Sequence, residues 1–121
     1  MGRDEREVCA VSKMSRAKGV RGEREWASVC REKGYAAVRT AQHAGKDGGE
    51  PDVKGLPGIH AEVKRTEALR LHDAIAQAVR DAKPEMLPMV AHRRNRDSWL
   101  VTMRAKDWFA IYREWEAGRT Q

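Results

Sequence analysis

The sequence predicts one α/β domain, a central mixed β-sheet flanked by helices in the order α-β-β-β-α-β-β-α. Three observations carry that expectation. Apolar residues recur at helical spacing in three stretches. Five short runs between them read as strands, bounded by Gly and Pro turns. A helix joins the third strand to the fourth, the crossover that parallel neighbours require.

The elements follow in order. Residues 1–18 mix both charge signs with little periodicity and read as a basic N-terminal arm with room for a short helix. The remainder, 19–121, reads as one domain, the size that 121 residues allow. A first helix is predicted from Arg21 to Lys33, with Trp26, Ala27, Val29 and Cys30 as its apolar stripe and Gly34 as its stop. Tyr35 to Thr40 is a strand, and the glycine-rich residues 41–50 form a loop. Pro51-Asp52-Val53 opens the second strand, Gly55-Leu56-Pro57-Gly58 turns, and Ile59 to Lys64 returns as a hairpin partner. The second helix spans Leu69 to Lys83, with Leu71, Ile75, Ala78 and Ala82 on one face. Met89 to His92 and Trp99 to Thr102 are the last strands, joined by the turn Arg93 to Asp97. The last helix, Ala105 to Glu116, places Trp108, Ile111, Tyr112 and Trp115 at i, i+3, i+4, i+7, a stripe expected to face the core.

Composition narrows the function. The 24 Lys and Arg against 18 acids give +6 and a pI near 9.7, the balance of a protein with a polyanionic partner. Cys9 and Cys30 form no CxxC and no disulfide framework, so a reducing, cytoplasmic setting is expected, and Cys30 reads as a buried thiol. No apolar run is long enough to span a membrane, and the first 20 residues hold no signal-peptide core. The four histidines and two cysteines show no zinc spacing, and no Walker-type loop is present.

The chemistry concentrates on Ile59-His60-Ala61-Glu62-Val63-Lys64. Side chains alternate across a strand, so Ile59, Ala61 and Val63 share an apolar face while His60, Glu62 and Lys64 share the other. Asp52, on the preceding strand of the hairpin, can lie close to Glu62. Two converging carboxylates repel unless neutralised, and a hard divalent cation such as Mg²⁺ does that with one or two carboxylates, waters and substrate phosphate. Lys64 beside them can hold an attacking water and offset charge on a pentacovalent phosphate, while a cation lowers the pKa of its bound water. The plain alternative is a Pro-Asp turn beside a solvated Glu-x-Lys strand face.

On the first helix Glu23 falls within the arc of Trp26, Ala27 and Cys30, whereas Glu25 points away with Ser28 and Glu32. A carboxylate on a buried stripe needs a partner or a metal. Equally, an acid in a first turn simply favours the helix dipole. Gln77 reads either as an auxiliary group or as an ordinary surface glutamine, the latter favoured. His60 is either a substrate contact or a solvated strand histidine. Lys18, Arg21 and Arg24 with Lys46, and the basic turn of Arg93, Arg94 and Arg96, are candidate nucleic-acid contacts or solvated charge.

Lys18-Gly19-Val20-Arg21-Gly22-Glu23-Arg24-Glu25, then Gly34-Tyr35, Val38-Arg39, Pro51-Asp52 and Glu62-Val63-Lys64 together resemble the archaeal Holliday-junction resolvases and related phage nucleases. These belong to the restriction-endonuclease-like PD-(D/E)xK superfamily. The resemblance is close over Lys18 to Lys83 and rests on element order beyond. It implies an endodeoxyribonuclease that hydrolyses phosphodiester bonds in branched or structured DNA and leaves a 5′-phosphate. Asp52 and Glu62, with the Val63 carbonyl, would ligate Mg²⁺ or Mn²⁺. Lys64 would orient the water, Glu23 would assist metal binding, and the protein would work as a symmetric homodimer in a bacterial or phage setting. The loop 41–50 holds His43 and Lys46 where some resolvases are serine-rich, and the hairpin is tighter than in some relatives. The competing class is a non-catalytic nucleic-acid-binding module on the same fold. Clustered acids that repel phosphate argue against it.

Overall fold

The structure, a computed structural model, describes residues 5–40 and 49–119, with side chains from Lys18 onward. Its elements are α1 (Glu5–Glu32), β1 (Val38–Arg39), β2 (Val53–Lys54), β3 (Ile59–Arg65), α2 (Leu71–Asp81), β4 (Leu87–Arg93), β5 (Leu100–Thr102) and α3 (Ala105–Arg119). The order matches the expected α-β-β-β-α-β-β-α. The strands form one sheet in the order β1-β2-β3-β4-β5. β3 and β4 run parallel, and every other pair is antiparallel. The α2 crossover therefore makes β3 and β4 neighbours at the centre of the sheet.

Three layers result. On one face α1 lays Trp26, Ala27 and Cys30 over Val53, Ala61, Val63, Met89 and Ala91. Trp26 meets Trp99 with ring centroids 5.3 Å apart. On the other face α2 packs Ala74 and Ala78 on Val90. The small side chains of α2 let it lie low on the sheet. Burial also raises the pKa of the Cys30 thiol, as expected for an inert core cysteine.

Two glycines are dictated by close approach. A Cβ on Gly22 would sit 2.5 Å from Cβ of Arg65, so its absence is what lets α1 cross β3 at that point. Gly55 has φ +122, and a Cβ there would sit 2.5 Å from the Ala36 carbonyl oxygen. That glycine therefore closes the β2–β3 turn against the chain entering β1.

Two expectations are corrected. Residues 5–18, read as an arm, continue α1 without a break. That stretch lacks an apolar stripe, but it also lacks proline and is rich in Glu, Arg, Lys, Ala and Met, all good helix formers. The α3 stripe does not face the core: Trp108 is 48% and Trp115 55% exposed, with Phe109 and Ile111 similarly open. α3 makes few contacts with the other elements. Its first turn is closed locally, the buried Asp107 accepting from Arg104, the residue that precedes the helix, at 2.8 Å. The helical spacing is real, but the sheet's two faces are already covered by α1 and α2.

Candidate active site

β3 presents its two faces as strand parity requires. Ala61 and Val63 enter the α1 core, and Glu62 lies on the other face with Val90, its partner in register on β4. That second face is not solvated: Glu62 is 2% and His60 1% exposed.

Asp52 is fixed beside them by three hydrogen bonds. Its amide donates to the Ala61 carbonyl at 2.9 Å, and its own carbonyl accepts from the Thr40 amide at 2.9 Å. Its Oδ2 accepts from the Val63 amide at 2.8 Å. The carboxyl thus docks on the backbone of the Glu62-Val63-Lys64 segment. Burial and the neighbouring Glu62 charge push its pKa up to about 7; the Val63 hydrogen bond offsets part of this, while contact with Glu62 and the charge of Glu23 add to it. Glu62 and, more weakly, Glu23 therefore lie within electrostatic reach of Asp52.

Glu23 is 6% exposed, and its carboxylate receives Arg39 Nε at 2.5 Å. Arg39 belongs to the Val38-Arg39 segment of the resolvase-like motif, which assigns it no role. Among the described residues no three His, Cys, Asp or Glu side chains are grouped as a ready-made metal cage. With Glu23 committed to Arg39, the side-chain donors are two carboxylates, the set Mg²⁺ takes when waters and substrate phosphate complete its shell. Burial, and after it the Glu62 charge, disfavour the Asp52 anion, and a cation bound there would stabilise it, so the donor set fits a divalent metal.

Lys64 Nζ donates to Gln77 Oε1 at 3.1 Å across the β3–α2 gap. Gln77, favoured above as an ordinary surface glutamine, instead holds the lysine. His60 is neither a solvated strand residue nor exposed to substrate; it is buried with Nε2 2.8 Å from Glu62 Oε1. Glu25, read as pointing away, reaches Arg93 at 2.8 Å and Arg65 at 3.5 Å, tying α1 to the ends of β4 and β3.

The basic residues divide. Lys18 and Arg21 line a cleft of about 250 Å³ with Glu25, Arg65 and Asn95, while Arg24 is exposed. Arg65, missed from sequence, donates to Asn95 at 2.7 Å. Arg93 is spent on Glu25 and on the Asp97 carbonyl, and Arg94 on the Asp97 carboxylate, so the turn is less free to grip phosphate than expected. Arg96 is exposed at the tip with φ +63. Lys46 lies outside the described residues.

The model of the archaeal Holliday junction resolvase (Hjc) family matches residues 14–106. Among solved structures the chain is similar to the Hjc Holliday junction resolvase of the archaeal hyperthermophile Archaeoglobus fulgidus, solved at 1.6 Å. The two share 27% identity over 70% of this chain and 76% of that one, with a TM-score of 0.57. No curated protein matches. The solved relative is archaeal, so the bacterial or phage setting expected above has no support. No helix among the described residues is long and apolar enough to cross a membrane.

Proposed function

The chain belongs to the archaeal Holliday junction resolvase family, and we propose that its junction-binding nuclease activity depends on Mg²⁺ or Mn²⁺ and is exerted by a homodimer inside the cell. The observation that carries the metal reading is the meeting of the half-buried Asp52 carboxyl, docked on the Val63 amide, with the buried Glu62, whose charge repels it.

In this reading Asp52 and Glu62 hold the cation, with the Val63 carbonyl as a further ligand and Glu23, neutralised by Arg39, supporting from α1. When bound, the metal lowers the pKa of a coordinated water and stabilises charge on the phosphoryl oxygens. Lys64, steadied by Gln77, orients the water and offsets charge on the phosphate. The water oxygen bonds to phosphorus, the bond to the 3′ oxygen breaks, and a 5′-phosphate and a 3′-hydroxyl remain. Lys18, Arg21 and the exposed Arg24 and Arg96 supply positive charge for the DNA backbone.

A two-fold-symmetric junction needs two cuts, hence two sites. The face that supports a dimer is α3 with the edge strand β5, where Trp108, Phe109, Ile111, Trp115, Leu100 and Val101 are all open. Trp108 stacks on Tyr112 at 5.1 Å and Tyr112 meets Trp115 at 5.6 Å, a rigid aromatic row along the helix. Exposed aromatic and aliphatic side chains of this kind mark an interaction site, and a second copy of the same face is the self-complementary choice of a C2 dimer.

The test is incubation of the protein with a four-way junction, duplex and single-stranded DNA, in Mg²⁺, Mn²⁺ and EDTA. Symmetric cleavage of the junction with either metal and none in EDTA is expected. Asp52→Asn should bind the junction and leave it intact. Binding without cleavage in every condition would instead make the protein a DNA-binding module.

A further inference from the structure

We propose that His60 is a positioning residue for the metal site, donating from Nε2 to one oxygen of the Glu62 carboxylate and so fixing how that carboxylate faces the cation. The proposal rests on the metal reading above. His60 and Glu62 stand two residues apart on β3, on the same face, 2.8 Å apart, and both are almost wholly buried. An ionised carboxylate only accepts hydrogen bonds, so the imidazole Nε2 carries the hydrogen. A buried carboxylate left without a donor bears its full desolvation penalty. Glu62 needs one the more because Asp52 stands beside it.

The two acids are treated alike by the fold. Asp52 gives Oδ2 to the Val63 amide, and Glu62 gives Oε1 to His60, both at 2.8 Å. One oxygen of each is thus committed to a donor of the chain, and the cation would be shared by what remains. The Asp52 donor is backbone and cannot be removed by mutation; the Glu62 donor is a side chain and can. Donors behind a ligating carboxylate set its orientation, and losing one typically weakens metal affinity by about 10–100-fold.

The experiment is Mn²⁺ titration of the full chain at fixed pH, by electron paramagnetic resonance, on the wild type, His60→Met, His60→Gln and Asp52→Asn, with near-ultraviolet circular dichroism to show that each is folded. Methionine fills similar space without a donor. Glutamine places an amide N–H near the Nε2 position. His60→Met should weaken Mn²⁺ binding by about tenfold or more, and His60→Gln should stay within about threefold of the wild type. Equal affinity of His60→Met and wild type, or equal loss in both His60 variants, overturns the proposal. Should His60→Met fail to fold, ¹⁵N spectra of the wild-type imidazoles decide: a protonated Nε2 on His60 is expected, and an unprotonated one overturns it. If wild type and Asp52→Asn take up Mn²⁺ equally, the metal reading itself fails, which the His60 variants alone could not produce.

Discussion

α1 and α3 carry the same kind of signal and meet opposite fates. Both place aromatic and aliphatic residues at helical spacing. Trp26, Ala27 and Cys30 of α1 vanish into the sheet, while Trp108, Ile111 and Trp115 of α3 stay open. Periodicity states that a helix has an apolar side; it does not state what covers it. α1 reached the sheet because Gly22 permits contact at Arg65 and because Glu25 ties it to Arg65 and Arg93. α3 follows an edge strand, after both faces are taken. The comparison separates a helix that builds the site from one that is free to join two copies.

Substitutions should expose that difference, beginning with the largest effect. Trp26→Ala should cost about 3–5 kcal/mol of stability by chemical denaturation, the range for a buried aromatic. Trp115→Glu should leave the unfolding midpoint of the monomer nearly unchanged while shifting the mass measured by light scattering from dimer to monomer. A Trp115 variant as damaging to the monomer as the Trp26 one would erase the distinction. Gly22→Ala should destabilise by about 1–3 kcal/mol, because α1 must lift off β3 to make room.

The two acids of α1 refine the picture further. Glu23→Gln should lower junction cleavage about tenfold or more with little change in DNA binding, since it faces Asp52 and Arg39. Glu25→Gln should act mainly on stability, by loosening the Arg65 and Arg93 contacts. A pH dependence should accompany these effects. The folded pKa of Asp52 lies near 7, above its unfolded value near 3.8, so the folded state holds a proton that the unfolded state releases. Metal-free protein should therefore lose stability as pH rises from about 4 to about 7 and level off beyond. Added Mn²⁺ should reverse the loss above pH 7, read by thermal melting; a rise in stability across that window would reverse the assigned sign.

Much of the site was legible because strand parity is strict. Ala61 and Val63 against His60, Glu62 and Lys64 follows from alternation alone, and the α2 crossover set the parallel β3–β4 pair. What was not legible depended on a third element. The Gln77–Lys64 bond requires knowing how α2 lies on β3. The burial of His60 requires knowing that this face of the sheet is covered. Arg39 needed a register, Val38 and Arg39 against Lys54 and Val53, that no local pattern encodes. The first half of α1 has no apolar stripe to announce it, so only helix propensity could have drawn it.

Anomalous diffraction from crystals soaked in Mn²⁺ tests the account most directly. A single strong peak within bonding distance of both the Asp52 and the Glu62 carboxylates, lost in Asp52→Asn crystals, is the predicted result. Fully loaded crystals with manganese elsewhere and none between those two carboxylates would contradict it.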